Sequence, residues 1–170
     1  MKQVLAGILA LSLFAGSNLA FAEGEKVAYI DVAKVFDSYL KTKDNDRVLQ
    51  QSGKKKEEER DAIVREIRQA KDELALLNDD AKAKKQDSMA NKMKELQSFD
   101  TDTRAALGEQ RNKVVREIFK EIDVAIQKYG QAKQLDMIYN ERALLYHNAK
   151  MDATKDIIDT LNKEYSSKKR

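Results

Sequence analysis

The sequence predicts a mostly helical α+β protein in which a small β-containing body carries a long antiparallel helical-hairpin arm. Charged residues make up 36% of the chain, against about 25% in a typical globular domain, so most of its length cannot enter one compact core. Proline is absent and only six glycines occur, so helix breakers are scarce. Short β-prone runs lie near the two ends of the chain, whereas its middle repeats apolar residues at heptad spacing.

Residues 1–22 have the pattern of a secretory signal peptide. Lys2 supplies the positive start, an apolar run follows over residues 4–15, and Ala20-Phe21-Ala22 is a small-x-small cleavage site. We therefore expect the mature chain to start at Glu23 and to lie outside the inner membrane. Cysteine is absent, which excludes disulfides, thiol catalysis and cysteine-based zinc sites.

Residues 23–43 and 130–170 are expected to form the body. Residues 26–30 predict a first strand, and Asp31 is suited to cap a helix over residues 32–39. The runs 135–139 and 144–146 predict a β-hairpin, and residues 153–165 predict a closing helix. Three short strands are marginal alone, so we expect several copies to share one core. The residues assigned to this oligomerisation body are Val27, Tyr29, Ile30, Val35, Phe36, Met137, Ile138, Leu144, Tyr146, Ile157 and Leu161.

Residues 44–129 are expected to form the arm. Its outgoing helix repeats apolar residues at alternating spacings of four and three, a polar turn follows at residues 78–80, and Gly130 is suited to the left-handed cap that ends the return helix. The outgoing seam is Ile63, Ile67, Ala70, Leu74 and Leu77; the return seam is Met89, Met93, Leu96, Thr103, Leu107, Val114, Ile118, Ile122 and Ala125.

The order of these parts resembles the Skp/OmpH family of periplasmic chaperones. The resemblance rests on residues 27–31 followed by Lys34-Val35-Phe36, and on residues 135–139, 143–146 and 157–162. Asp152-Ala153-Thr154 departs from the more usual Asp-Ile-Thr helix entry. The resemblance implies a homotrimer whose body is built from all three chains and whose arms enclose a cavity. It also implies that unfolded outer-membrane β-barrel proteins are held there without ATP.

Apolar and basic residues near the arm tip are the predicted client contacts. Flexible methionines suit a promiscuous surface, and an excess of lysines would attract acidic clients, anionic lipid or lipopolysaccharide at the periphery. The alternative is that each is an ordinary seam residue or a solvated helix face. The predicted contacts are Leu76, Leu77, Met89, Met93, Leu96, Phe99, Lys82, Lys84, Lys85, Lys92 and Lys94.

Gly53 and Gly108 are expected to face each other across the hairpin. Each glycine costs roughly 1 kcal/mol of helix stability relative to alanine. One hypothesis is that they form a hinge that lets the arms spread, and the alternative is that glycine is simply tolerated at exposed sites.

No enzyme, metal site or cofactor site is predicted. His147 is the only histidine, and neither a phosphate-binding loop, a dinucleotide-binding glycine pattern nor a nucleophile elbow occurs. Three alternatives to a client-holding chaperone remain. A structural coiled-coil protein of the envelope would need heptads without flanking strands. A nucleic-acid binder fits the basic pI but neither the signal peptide nor the near balance of charges. An exported hydrolase is the least favoured.

Overall fold

The computed structural model describes residues 25–169. The elements follow in the order β1 (Val27–Ile30), α1 (Val32–Ser38), α2 (Leu40–Leu74), α3 (Asp79–Lys133), β2 (Met137–Asn140) and α4 (Thr154–Lys168), with two short 3-10 turns, Glu141–Ala143 and Ala149–Met151, before α4. The predicted mostly helical α+β class is confirmed. The predicted signal peptide lies outside the described residues.

The two strands pair in parallel, with Val27 opposite Met137 and Ile30 opposite Asn140. The pairing is extended by a backbone bond of 2.8 Å from the Asp136 N–H to the Lys26 carbonyl. The other edge of β1 is also occupied, because the Ala153 N–H donates to the Tyr29 carbonyl at 2.9 Å. Strand β1 therefore lies between two neighbours, whereas β2 has a free outer edge in the described chain.

The predicted third strand at residues 144–146, and with it the β-hairpin, is wrong for the single chain. The Asn140 side chain accepts a hydrogen bond from the Arg142 N–H at 3.3 Å and caps a 3-10 turn where a hairpin turn was expected. Leu145 is fully exposed and Tyr146 is 87% exposed. A strand needs a hydrogen-bonding neighbour, and residues 144–146 make no backbone hydrogen bond to β1 or β2.

Helices supply most of the body's core. Ile118, Ile122 and Ala125 of α3 pack with Ile157 and Leu161 of α4, against α1 and β1. Among the residues assigned to the oligomerisation body, five are buried within one chain: Tyr29, Ile30, Val35, Ile157 and Leu161. Val27, Phe36, Ile138 and Leu144 are half-buried, and Met137 and Tyr146 are exposed. The buried residues therefore stabilise the single-chain fold, and the exposed ones remain available to another copy.

The arm joins the body at Tyr39, a single extended residue between α1 and α2. The Asn162 side chain of α4 bridges this break. Its Oδ1 accepts from the Leu40 N–H at 2.7 Å and its Nδ2 donates to the Ser38 carbonyl at 3.3 Å. These bonds replace helical backbone bonds that the break removes, so α4 holds the angle at which α2 leaves the body.

The arm is an antiparallel pair of long helices. Helix α2 has 35 residues, which corresponds to about 53 Å. Asn78 caps α3, since its Oδ1 accepts from the Ala81 N–H at 3.0 Å.

The predicted end of the return helix at Gly130 is wrong. Helix α3 continues to Lys133, and Gln134 adopts the left-handed conformation, with φ of 54°. The Leu135 N–H bonds back to the Gly130 carbonyl at 2.9 Å, while Leu135 packs against the core. Gly130 lies where a Cβ would sit 3.4 Å from Ile138 Cδ1, so the glycine accommodates close packing within the helix.

Candidate functional site

Three ion pairs join α2 and α3 along the outer half of the arm. Arg60 Nε lies 2.9 Å from Asp100 Oδ1, Lys92 Nζ lies 2.7 Å from Glu66 Oε2, and Lys85 pairs with Glu73. The hydrogen bond from Lys85 lowers the pKa of Glu73. Exposed pairs of this kind contribute at most about 1 kcal/mol each, so they set the register of the hairpin more than its stability.

The lysines near the tip do not form one free basic face. Lys85 and Lys92 take seam positions and pair with acids of α2, and Lys82 lies 3.9 Å from Asp79. Lys84 and Lys94 are exposed and make no ion pair within residues 25–169. The attraction predicted from the lysine count is therefore partly neutralised by the opposing helix, which the linear sequence did not reveal.

The predicted apolar contacts divide into two groups. Leu77, Met89, Leu96 and Phe99 are half-buried between the helices. Leu76 and Met93 are 87% and 57% exposed, so they alone among the six offer most of their surface to a partner. Placing Met93 in the seam was wrong, because the spacing of seven between Met89 and Leu96 puts Lys92, with its aliphatic stem, at the inward position.

A groove of about 260 Å³ opens at the root of the arm, between α1 and α2 on one side and α3 on the other. Half-buried apolar side chains form its floor: Phe36, Leu49, Val114 and Val115. Polar side chains form its rim: Asp37, Asn45, Asp46, Gln110 and Arg111. Phe36 stacks on the 46% exposed Phe119, with ring centroids 5.2 Å apart. Sequence reasoning missed this groove, because residues on three helices build it.

Three other polar side chains at the root, Tyr39, Asp44 and Glu121, have hydrogen-bond partners. Glu121 accepts hydrogen bonds of 2.7 Å from the Tyr39 hydroxyl and from Lys41 Nζ. Burial raises the pKa of Glu121, but these two donors more than offset it and hold that pKa below the usual value. Burial and the bond to Glu121 raise the pKa of Tyr39. Hydrogen bonds from Lys169 and then Tyr165 lower the pKa of Asp44, which ties the end of α4 to α2.

Gly53 and Gly108 lie inside unbroken helices. A Cβ built on either one meets nothing within 4 Å. Neither position therefore requires glycine for close packing, and the hinge hypothesis depends on backbone freedom alone.

Replacing both glycines with alanine is expected to raise the free energy of unfolding by about 1 kcal/mol per site, because alanine restricts the unfolded chain without a clash. Urea unfolding measures this gain. The chain has no native cysteine, so a spin label at Ser88→Cys near the tip reports the distances between arms in the proposed assembly of several copies. Gly130→Ala, which lies outside the arm and whose Cβ would meet Ile138 Cδ1 at 3.4 Å, is the control, and it is expected to leave the distances between arms unchanged. An unchanged distance distribution in the double variant would remove the hinge hypothesis.

A second exposed apolar surface lies on the body, at the free edge of β2. It comprises Met137, Tyr139, Leu145 and Tyr146 and is called the edge patch below. Beneath it, the His147 ring packs on Tyr29 with centroids 4.1 Å apart, and its Nε2 lies 3.2 Å from Glu141 Oε1. These contacts give His147 a packing role.

Residues 25–169 show neither a clustered set of metal ligands nor a membrane-spanning helix. Their His, Asp and Glu side chains form no group of three or more that could hold a metal ion. Over the same residues, no helix combines the length and the apolar character needed to cross a bilayer.

The family profile described as outer membrane protein (OmpH-like) matches residues 26–161, which is most of the chain. This chain belongs to the OmpH-like family. The match covers β1, the whole arm, β2 and α4 up to Leu161, so OmpH-like membership applies to body and arm together.

The solved structures confirm the OmpH-like fold. A crystal structure of a candidate OmpH-like outer-membrane chaperone from Caulobacter crescentus CB15 superposes with a TM-score of 0.77. The likeness covers 82% of this chain and 85% of that one, at 17% sequence identity. No curated protein sequence matches. At such low identity the likeness establishes the OmpH-like architecture, and residue roles must come from this chain itself.

Proposed function

We propose that this OmpH-like protein is a periplasmic holdase chaperone that binds unfolded outer-membrane β-barrel proteins without ATP and prevents their aggregation before membrane insertion. The observation that carries this proposal is the family match over residues 26–161, together with the outer-membrane chaperone assignment of its structural neighbour. No catalytic step and no cofactor are part of the proposal.

The geometry of the arm supports a holding role. An unfolded barrel protein exposes alternating apolar side chains and unpaired strand edges, which aggregate edge to edge. A slender arm built from a 35-residue and a 55-residue helix presents a long surface with scattered apolar residues. Many weak contacts along such a surface lower the free concentration of aggregating client while leaving each contact easy to break.

The edge patch supports assembly of several copies. Four large side chains on the body leave between 38% and 108% of their surface exposed, and two of them, Met137 and Tyr139, lie on the strand whose outer edge is free in the described chain. An uncovered edge with apolar flanks is a template for pairing with another strand. We propose that the patch is covered by another copy, as the homotrimer implied by the family resemblance requires, so that arms from different copies surround the client.

A structural coiled-coil protein of the envelope is the second candidate. The long α2–α3 hairpin favours it, but such a role gives no reason for the apolar groove at the arm root.

One assay separates the two candidates. A urea-unfolded outer-membrane β-barrel protein is diluted into buffer with the mature chain and without ATP, and light scattering follows aggregation. We expect suppression at a slight molar excess of the assembled chaperone. Aggregation that proceeds unchanged at large excess would leave the structural role as the better account.

A further inference from the structure

We infer that the groove at the arm root, rather than the arm tip, is the principal docking site for an extended client segment that carries an aromatic side chain. The inference rests on the proposed holdase function. It adds which part of the chain binds the client and which chemical groups make the contact. Its first support is the distribution of apolar surface. The tip exposes Leu76 and Met93, whereas the root combines a stacked phenylalanine pair with an apolar floor.

The floor suits an aromatic residue. The groove provides about 260 Å³, and the Phe36 and Phe119 rings, inclined by 21°, offer a half-exposed aromatic surface beside it. Aromatic side chains prefer offset-stacked or edge-on contact with other rings and gain more from it than from burial alone. An incoming phenylalanine or tyrosine can therefore extend the existing stack while its neighbours in the client remain in water.

The rim suits a peptide backbone. Asp37 and Asp46 offer carboxylate acceptors on the α1/α2 wall, and Gln110 and Arg111 offer donors on the α3 wall. Within residues 25–169, none of these four side chains makes a hydrogen bond or an ion pair. An extended segment displays N–H and C=O groups along both of its edges, so it can engage acceptors on one wall and donors on the other.

Charged side chains elsewhere at the arm root differ from those of the rim, because they already have partners. Asp44, Lys41 and Glu121 lie on the same part of the arm, and each is engaged by a partner within 3.0 Å. The unpaired polar groups thus border the apolar floor, where an incoming backbone would need them. Two carboxylates against one guanidinium give the rim a net negative charge, which favours a client residue flanked by lysine or arginine.

Photocrosslinking distinguishes the root from the tip. A benzoylphenylalanine is placed at Gln110 on the groove rim or at Gln97 nearer the tip; both glutamines are exposed on α3, so they form a matched pair. The probe is a urea-unfolded outer-membrane barrel protein diluted onto the assembled mature chain. We expect a several-fold higher yield of client crosslinks at position 110. An equal or higher yield at position 97 would contradict the assignment of the groove as the principal docking site.

Affinity provides the second readout. The chain has no tryptophan, so tryptophan fluorescence of the client reports binding without background. We expect the Asp46→Ala/Arg111→Ala double variant to raise the client Kd by about tenfold, since two polar contacts to the backbone are lost. Its matched control is Lys84→Ala/Asp87→Ala, a pair of exposed charges near the tip. A larger effect of the tip pair would contradict the inference.

A competition experiment tests the aromatic requirement. A synthetic twelve-residue peptide of alternating phenylalanine and polar residues is expected to reduce the crosslinks at position 110, whereas the same peptide with serine in place of phenylalanine is not. Equal competition by both peptides would overturn the aromatic preference. Crosslinks between two copies of this chain at position 110, formed without client, would reassign the groove to self-association.

The outcomes also separate this inference from the proposed function. If the wild-type chain suppresses aggregation but position 110 forms no client crosslinks, the holdase function stands and the groove is not the docking site. If the wild-type chain binds no unfolded barrel protein in the fluorescence assay, both the holdase function and the docking site are contradicted.

Discussion

Ile157→Ala is expected to lower the free energy of unfolding of the body by about 3 kcal/mol. The Ile157 side chain is completely buried, where it joins α4 to the core residues of α3 and β1. Truncating a buried isoleucine loses its transfer free energy and leaves a cavity that rigid neighbours fill only in part. Urea unfolding at fixed protein concentration, followed by circular dichroism, measures the loss.

The matched control for Ile157→Ala is Val124→Ala. Val124 lies on α3 with 47% of its surface exposed, so its truncation is expected to change stability by about 0.5 kcal/mol or less. Equal losses for the two variants would show that α4 does not pack as described. Since α4 also holds the Tyr39 break through Asn162, the Ile157 variant should in addition broaden the range of arm angles.

If copies assemble through the edge patch as proposed, Leu145→Ser/Tyr146→Ser is expected to leave the protein as single chains. Both side chains lie almost wholly in solvent within one chain, so replacing them removes no packing of the monomer. If another copy covers them, each serine removes roughly 2 kcal/mol of apolar burial per copy, repeated at every interface. Native mass spectrometry measures the change in mass, and circular dichroism checks that the helices remain.

The matched control for the edge-patch variant is Leu76→Ser. Leu76 is as exposed as Tyr146 but lies at the arm tip, far along the chain from the body. We expect native mass spectrometry to show the same number of chains per particle for this variant as for the unaltered protein. If the edge-patch variant keeps the full mass as well, the patch is not the contact between copies. In that case the proposed assembly would need a different surface.

The candidate site was only partly predictable. Spacing identified the arm and most of its seam, because heptad periodicity is a local property of the chain. Met93 and Lys92 show where periodicity fails. An apolar methionine was expected in the seam and a charged lysine in solvent, but Met93 is exposed and Lys92 lies in the seam, where it pairs with Glu66. The groove at the root was out of reach, since Phe36, Leu49 and Val115 are distant in sequence and meet only when three helices pack.

The sequence by itself determined the helical arm, the positions of the two strands, the closing helix and the family. These depend on composition, capping residues and short-range periodicity, which act between residues a few positions apart. Tertiary structure decided the rest: α3 passes Gly130 and ends at Gln134, the segment at residues 144–146 stays unpaired, and Asn162 bridges the break at Tyr39. Each of these outcomes depends on which distant group arrives to fill a space or accept a hydrogen bond, and a linear pattern does not encode that.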